Sequence, residues 1–223
     1  MSPMVDDQRP GVQLAWVGAV VGAAALLLQA WLTIGQSVAG GRGWLRGLVF
    51  YLGFFTILTN MFATSTMAAH AVPGWGGRLA TTLRRPDLLT SAAASMMVVG
   101  VVYVLVLQRL WNPQGAQWLA DMALHYVMPA VTVLVWWAAI PRGALRARDL
   151  PVCAIYPAAY LGYVFARGAV LSDYPYFFID VGTVGYPRAL ANTLGILLGF
   201  LTLCLLMVMA KSAPKVVDQG ART

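Results

Sequence analysis

The chain has 223 residues, 60% of them hydrophobic and only 10% charged, with a mean hydropathy of +0.71. A soluble domain carries roughly 25% charged residues, so this composition excludes a water-soluble globule and points to an integral membrane protein. The net charge of +7 reads as membrane topology and anionic-lipid contact; no nucleic-acid partner is implied, and no polar stretch is long enough to build a separate soluble domain.

Six segments reach the roughly 20 residues that a bilayer core demands: about 12–34, 48–72, 88–110, 118–140, 152–171 and 189–210. Pro and Gly punctuate the gaps, as at Pro73-Gly74, Asn112-Pro113 and Tyr186-Pro187. The expected fold is all-α, a single polytopic domain over 1–223 built as a six-transmembrane-helix bundle. Asp6, Asp7 and Arg9 precede an apolar run long enough to span, which argues against a cleaved signal peptide.

Orientation follows from the basic residues. Ten fall on the side of the termini: Arg9, Arg78, Arg84, Arg85, Arg142, Arg146, Arg148, Lys211, Lys215 and Arg222. Four fall on the other side, Arg42, Arg46, Arg109 and Arg188, while Arg167 lies within the fifth span. The positive-inside rule then predicts an inner-membrane protein with both termini cytoplasmic. Cys153 and Cys204 both fall toward the cytoplasmic side, where a disulfide is disfavoured and a small packing role expected.

The first span carries Gly18 and Gly22 four residues apart, a small-residue face suited to close intramolecular packing. The second carries Tyr51, then Thr56, Thr59 and Asn60, which share one helical face in an otherwise apolar run. Such groups are costly to bury unless they are paired or face a cavity. His70 is expected near the cytoplasmic end, in a structural role. The fourth span places Asp121 and His125 four residues apart on one face, with His125 about 10 Å inside and near the depth of Thr56. Pro129 cannot donate to the His125 carbonyl, which predicts a kink there.

In the fifth span Tyr156, Tyr160, Tyr163 and Arg167 recur as a single stripe, and Arg167 is within reach of Asp121 or Asp173. The outer loop that follows, Ser172 to Pro187, contains Tyr176 and Asp180 and is too apolar for a solvated linker. It is expected to fold back over the bundle as an aromatic cap. Asn192 begins the last span just below it.

Thr56, Thr59, Asn60, Asp121, His125, Arg167 and Asn192 thus gather at the outer half or midplane, beneath the aromatic loop. A polar pocket under an apolar lid suits an amphipathic, lipid-like ligand. A threonine hydroxyl, a histidine and a carboxylate to orient it have the makings of an activated oxygen nucleophile. A retinal Schiff base is disfavoured because the only lysines are Lys211 and Lys215; a bis-histidine haem, because His70 and His125 fall at opposite depths. A metal site would want more than one histidine near the carboxylates, so no metal and no cofactor are expected.

The runs Phe55-Thr56-Ile57-Leu58-Thr59-Asn60 and Leu124-His125-Tyr126-Val127-Met128-Pro129, the stretch from Tyr160 to Arg167-Gly168, and Tyr174-Pro175-Tyr176-Phe177 with Ile179-Asp180 and Gly185-Tyr186 resemble bacterial six-helix membrane proteins. Those are similar to the androgen-induced membrane protein family of animals. The resemblance implies an intramembrane threonine hydrolase that cleaves fatty acid esters of hydroxy fatty acids with one Thr and one His. By position the His is His125, and the Thr is Thr56 or Thr59, with Thr56 preferred. Tyr51, Asn60, Asp121, Arg167, Tyr176, Asp180 and Asn192 are the expected supporting residues, with Asn60 or Asn192 as oxyanion donor. The competing expectation is a non-catalytic lipid-binding or small-solute transport protein that uses the same pocket.

Overall fold

The structure, a computed structural model, describes residues 9–212. Asp6, Asp7, Lys215 and Arg222, which enter the charge reading, lie outside the described residues. Those described form helices and no strand. In chain order they are α1 (Arg9–Ala39), α2 (Trp44–Tyr51), α3 (Phe55–Ala71), the short α4 (Arg78–Leu83), α5 (Pro86–Val102), α6 (Ala116–Met122), α7 (Met128–Ala139), α8 (Leu150–Leu171), the single turn α9 (Val181–Val184) and α10 (Tyr186–Lys211). Helix α5 runs on through a π turn at Tyr103–Leu107 to Leu110, and a second π turn, Ala123–Val127, joins α6 to α7. Five of the resulting rods are long and apolar enough to cross a membrane, and the pair α2 and α3, bent by 75°, makes a sixth span when taken together. The protein is a multi-pass bundle of membrane-spanning helices.

Helix α5 sits at the centre, with Ala92, Ala93, Ala94, Leu89 and Met96 fully buried against α3, α7, α8 and α10. Its small residues let neighbouring backbones approach closely, the usual packing solution where lipid is as apolar as the interior. Helix α1 closes on α3 and α7 by the same device. A Cβ at Gly22 would run into the Thr64 hydroxyl and the Met128 side chain, and one at Gly18 into Met67 and Val131. The small-residue face is therefore an intramolecular seam. Cys153 and Cys204 are buried free thiols. Leu27, Trp31, Leu105, Trp137, Ile155 and Val170 stay exposed around the outside, an apolar belt suited to lipid.

The two ends of the bundle differ. At the end of the termini, Arg84 donates to the Ala69 and Val72 carbonyls at 2.8 and 2.9 Å and so satisfies the C-terminus of α3. Lys211 donates to the Trp137 carbonyl at 2.7 Å. The opposite end, called the loop face below, carries the α1–α2 turn, the segment before α6, and residues 172–185.

The second span departs from the uninterrupted helix expected over 48–72. The chain turns at Leu52-Gly53-Phe54, and α3 begins afresh at Phe55. A break in an apolar setting leaves carbonyls without helical partners, which must be satisfied from elsewhere. The tyrosine stripe of α8 does this: Tyr160 donates to the Gly53 carbonyl at 3.0 Å and Tyr163 to that of Leu52 at 3.2 Å. Gly53 itself lies under the Arg167 guanidinium, whose Cζ would be 3.1 Å from an added Cβ.

Residues 172–185 fold over the bundle end as expected. Ser172 adopts a left-handed conformation (φ 49°) that ends α8 and turns the chain back. The Tyr174 ring then packs onto Gly168 so closely that no Cβ fits there.

Candidate functional site

The cap, the broken second span and the π turn of the fourth enclose a cavity of about 430 Å³ that opens toward the loop face. Thr56, Asp121, His125, Tyr51, Tyr103 and Tyr176 all contribute to its wall.

His125 stands within the π turn, one turn before Pro129, where the sequence predicts a kink. Such a turn re-aims side chains and is found often at functional sites. His125 Nδ1 lies 3.2 Å from Asp121 Oδ1 and 3.1 Å from the Asp121 carbonyl oxygen. The main-chain acceptor places a proton on Nδ1, so that in the neutral ring Nε2 carries the free lone pair. Asp121 is buried, and its other oxygen accepts the Tyr103 hydroxyl. The Tyr103 ring also stacks on the imidazole, centroids 4.1 Å apart and planes 18° from parallel. The buried carboxylate thus has the Tyr103 hydroxyl on one oxygen and the imidazole beside the other, and the imidazole is held in one orientation.

Thr56 is in the first turn of α3, beside the break. Its main-chain N–H donates to the Tyr176 hydroxyl at 3.3 Å, tying the cap to the start of the helix. The first N–H groups of a helix lack intrahelical partners and carry partial positive charge. Ile57, the next residue, also lines the cavity. No hydrogen bond joins Thr56 to His125; the two side chains share the cavity wall.

Thr59 is fully buried, and its hydroxyl is engaged with Tyr156 at 2.8 Å, away from the cavity. Asn60 is also fully buried; its amide donates to the carbonyls of Thr56 and Leu124 at 2.8 and 3.3 Å, linking α3 to the turn that holds His125. Asn192 donates to the Phe178 carbonyl at 2.7 Å and so anchors the cap. The amide donors of Asn60 and Asn192 are both committed to main-chain carbonyls, so neither is the free oxyanion donor expected. Asp180 accepts from the Gly182 N–H and the Thr183 hydroxyl at 3.0 and 2.8 Å, capping α9 instead of facing the cavity. Arg167 pairs with Asp173, not Asp121, at 2.8 Å. Tyr51 lines the cavity while donating to the Leu26 carbonyl at 2.8 Å. His70 bonds only the Thr66 carbonyl of its own helix, at 2.8 Å.

Gln29 stands out in the sequence as a strongly polar residue well inside the first span, but sequence reasoning missed Tyr103 and Gln117, whose amide donates to Gln29 at 2.7 Å and ties α6 to α1 at the cavity wall. The signal for Tyr103 is present, since it is the sole hydrogen-bonding side chain between Ser95 and Gln108. A second recess adjoins the first. It is an apolar slot bounded by Val98, Val102, Pro157, Leu161, Ile196 and Leu197, and it meets the polar cavity at Thr56, Leu107 and Tyr176.

Comparison of the chain with protein-family models, with curated proteins and with solved structures returned no match. Among the described residues, no cluster of three or more potential metal ligands occurs.

Proposed function

We propose that this protein is an intramembrane ester hydrolase acting on lipid-like esters, with Thr56 as nucleophile and His125 as general base. The observation that carries this reading is the common cavity of Thr56 and a His125 held by Asp121, with an apolar slot branching off at Thr56. The slot, of about 70 Å³, has room for the first few methylenes of an acyl chain, which would bring its ester carbonyl to the Thr56 hydroxyl. His125 Nε2 takes the hydroxyl proton, directly or through one water, as Oγ1 attacks the carbonyl carbon. The oxyanion faces the first turn of α3, where the Ile57 N–H has no main-chain partner and is a donor of the kind that stabilises tetrahedral intermediates. His125 then passes the proton to the departing alkoxide, and a water activated by the same nitrogen hydrolyses the acyl-threonine. Acid and alcohol are released, and the residues return to their starting states.

The expected resemblance to bacterial six-helix membrane proteins, themselves similar to the androgen-induced membrane protein family, points to the same assignment, and fatty acid esters of hydroxy fatty acids are the first substrates to test. The positive-inside count supports an inner-membrane location with the loop face outside. A second reading, a lipid-binding protein that performs no chemistry, draws on the missing Thr56–His125 hydrogen bond. Purified protein in detergent, incubated with a long-chain ester, separates the two: wild type releases acid and His125→Ala does not. Equal release by both, or none by wild type on any ester tried, favours the binder.

A further inference from the structure

Beside the candidate site, at the loop face, lies a larger vestibule of about 790 Å³. It shares Thr33, Gln36, Phe50 and Trp111 with the polar cavity, so the two adjoin. Three arginines line it: Arg42, Arg46 and Arg167. Arg167 is buried, with 5% of its side chain exposed, and it is held by Asp173, the one carboxylate in the lining. Its Nε is buried without a partner. Neither Arg42 nor Arg46 has a carboxylate partner among the described residues. Three guanidinium groups against one carboxylate leave two positive charges uncompensated in a single concave site.

We infer that this vestibule binds the phosphate headgroup of an anionic lipid whose chain enters the adjoining cavity. Guanidinium groups bind phosphate through paired, charge-assisted hydrogen bonds, and two free ones match the charge of a phosphate monoester. The volume far exceeds what a lone carboxylate would fill. Beside the polar Thr33, Gln36 and Ser37, much of the remaining wall is apolar: Leu45, Val49, Phe50 and Leu171 line the same space and are all exposed. A soluble anion has no use for such walls, whereas a lipid has both parts. The placement of the chain rests on the hydrolase reading of the adjoining cavity; the recognition of the headgroup does not.

The test is direct binding of a radiolabelled, ether-linked dialkylglycerol phosphate to the purified full chain in neutral detergent. Its ether bonds cannot be hydrolysed, so binding is read apart from turnover. The phosphate lipid should bind about tenfold more tightly than the uncharged dialkylglycerol. Arg42→Gln or Arg46→Gln should each remove most of that advantage, and both residues are exposed, so folding is not at risk. Arg188→Gln, an exposed arginine at the same end but outside the vestibule, should leave it intact. The proposal is overturned by equal affinity for charged and uncharged lipid, or by an Arg188→Gln loss as large as that of Arg42→Gln, which would mean general interfacial attraction. It is equally overturned if a long-chain fatty acid binds as tightly, which would mark a carboxylate site. Displacement by inorganic phosphate at the lipid's own concentration would assign the site to the free ion. Binding as expected, with no turnover of any ester tried, would sink the hydrolase reading and leave this one standing.

Discussion

Thr56 and Thr59 are three residues apart on one helix, yet their surroundings give them different capacities. Thr56 opens on the cavity, whereas Thr59 is sealed against Tyr156. A fluorophosphonate probe should therefore label wild type and Thr59→Val, and labelling should vanish in Thr56→Ala; persistence in Thr56→Ala would remove it as nucleophile. The Asp121–His125 pair yields a second expectation. Asp121→Asn removes the carboxylate 3.2 Å from Nδ1 that would stabilise the imidazolium formed in the reaction, while the main-chain acceptor stays, so kcat should fall by roughly 10²-fold. Tyr103→Phe removes one hydrogen bond to Asp121 but keeps the ring stack, and should cost on the order of tenfold. If Asp121→Asn keeps the wild-type kcat, Asp121 serves packing alone. The Asp121–His125 contact was legible from a four-residue spacing, because helical periodicity survives a single π turn. The choice between threonines was not, since it depends on which partner α8 presents to each.

At the scale of elements, the consequential feature is the break in the second span. Nothing in Leu52-Gly53-Phe54 is polar enough to mark it, and only Gly53 hints at a turn. What sustains the break lies about a hundred residues away: the hydroxyls of Tyr160 and Tyr163 replace the helix's own donors. The stripe Tyr156, Tyr160, Tyr163 and Arg167 was visible in the sequence as a period, but its task needs the tertiary fold to appear. Tyr160→Phe leaves the buried Gly53 carbonyl unsatisfied and should destabilise the fold by about 1–3 kcal/mol. Tyr163 makes the equivalent bond at an exposed position, so Tyr163→Phe should cost clearly less, because solvent or lipid headgroups can replace it. Thermal unfolding in detergent reads the difference; equal midpoints would mean that the break holds itself. The break also explains why Thr56 has helix-terminal N–H groups beside it, which a residue deep inside an unbroken span would lack. The cap loop, by contrast, was legible from its aromatic composition, though the part played by Asp180 in holding α9 was not.

At the scale of the whole molecule, composition and span lengths specify a multi-pass helical bundle, and the structure supplies one. The distribution of charge carries a further statement, about orientation. Of the ten basic residues that the sequence assigns to the end of the termini, eight lie among the described residues, and the membrane potential and anionic inner leaflet favour keeping such an end in the cytoplasm. The loop face, with the cavity mouth and the arginine vestibule, would then draw its lipids from the outer leaflet. Single cysteines test this without altering the native thiols, since Cys153 and Cys204 are fully buried. Gln114→Cys and Arg146→Cys occupy exposed positions at opposite ends of the bundle. A membrane-impermeant maleimide added to intact cells should label Gln114→Cys at once and Arg146→Cys only after permeabilisation. The reverse order would invert the topology and turn the site toward the inner leaflet, while the cavity, the broken helix and the arginine vestibule would keep their relation to one another.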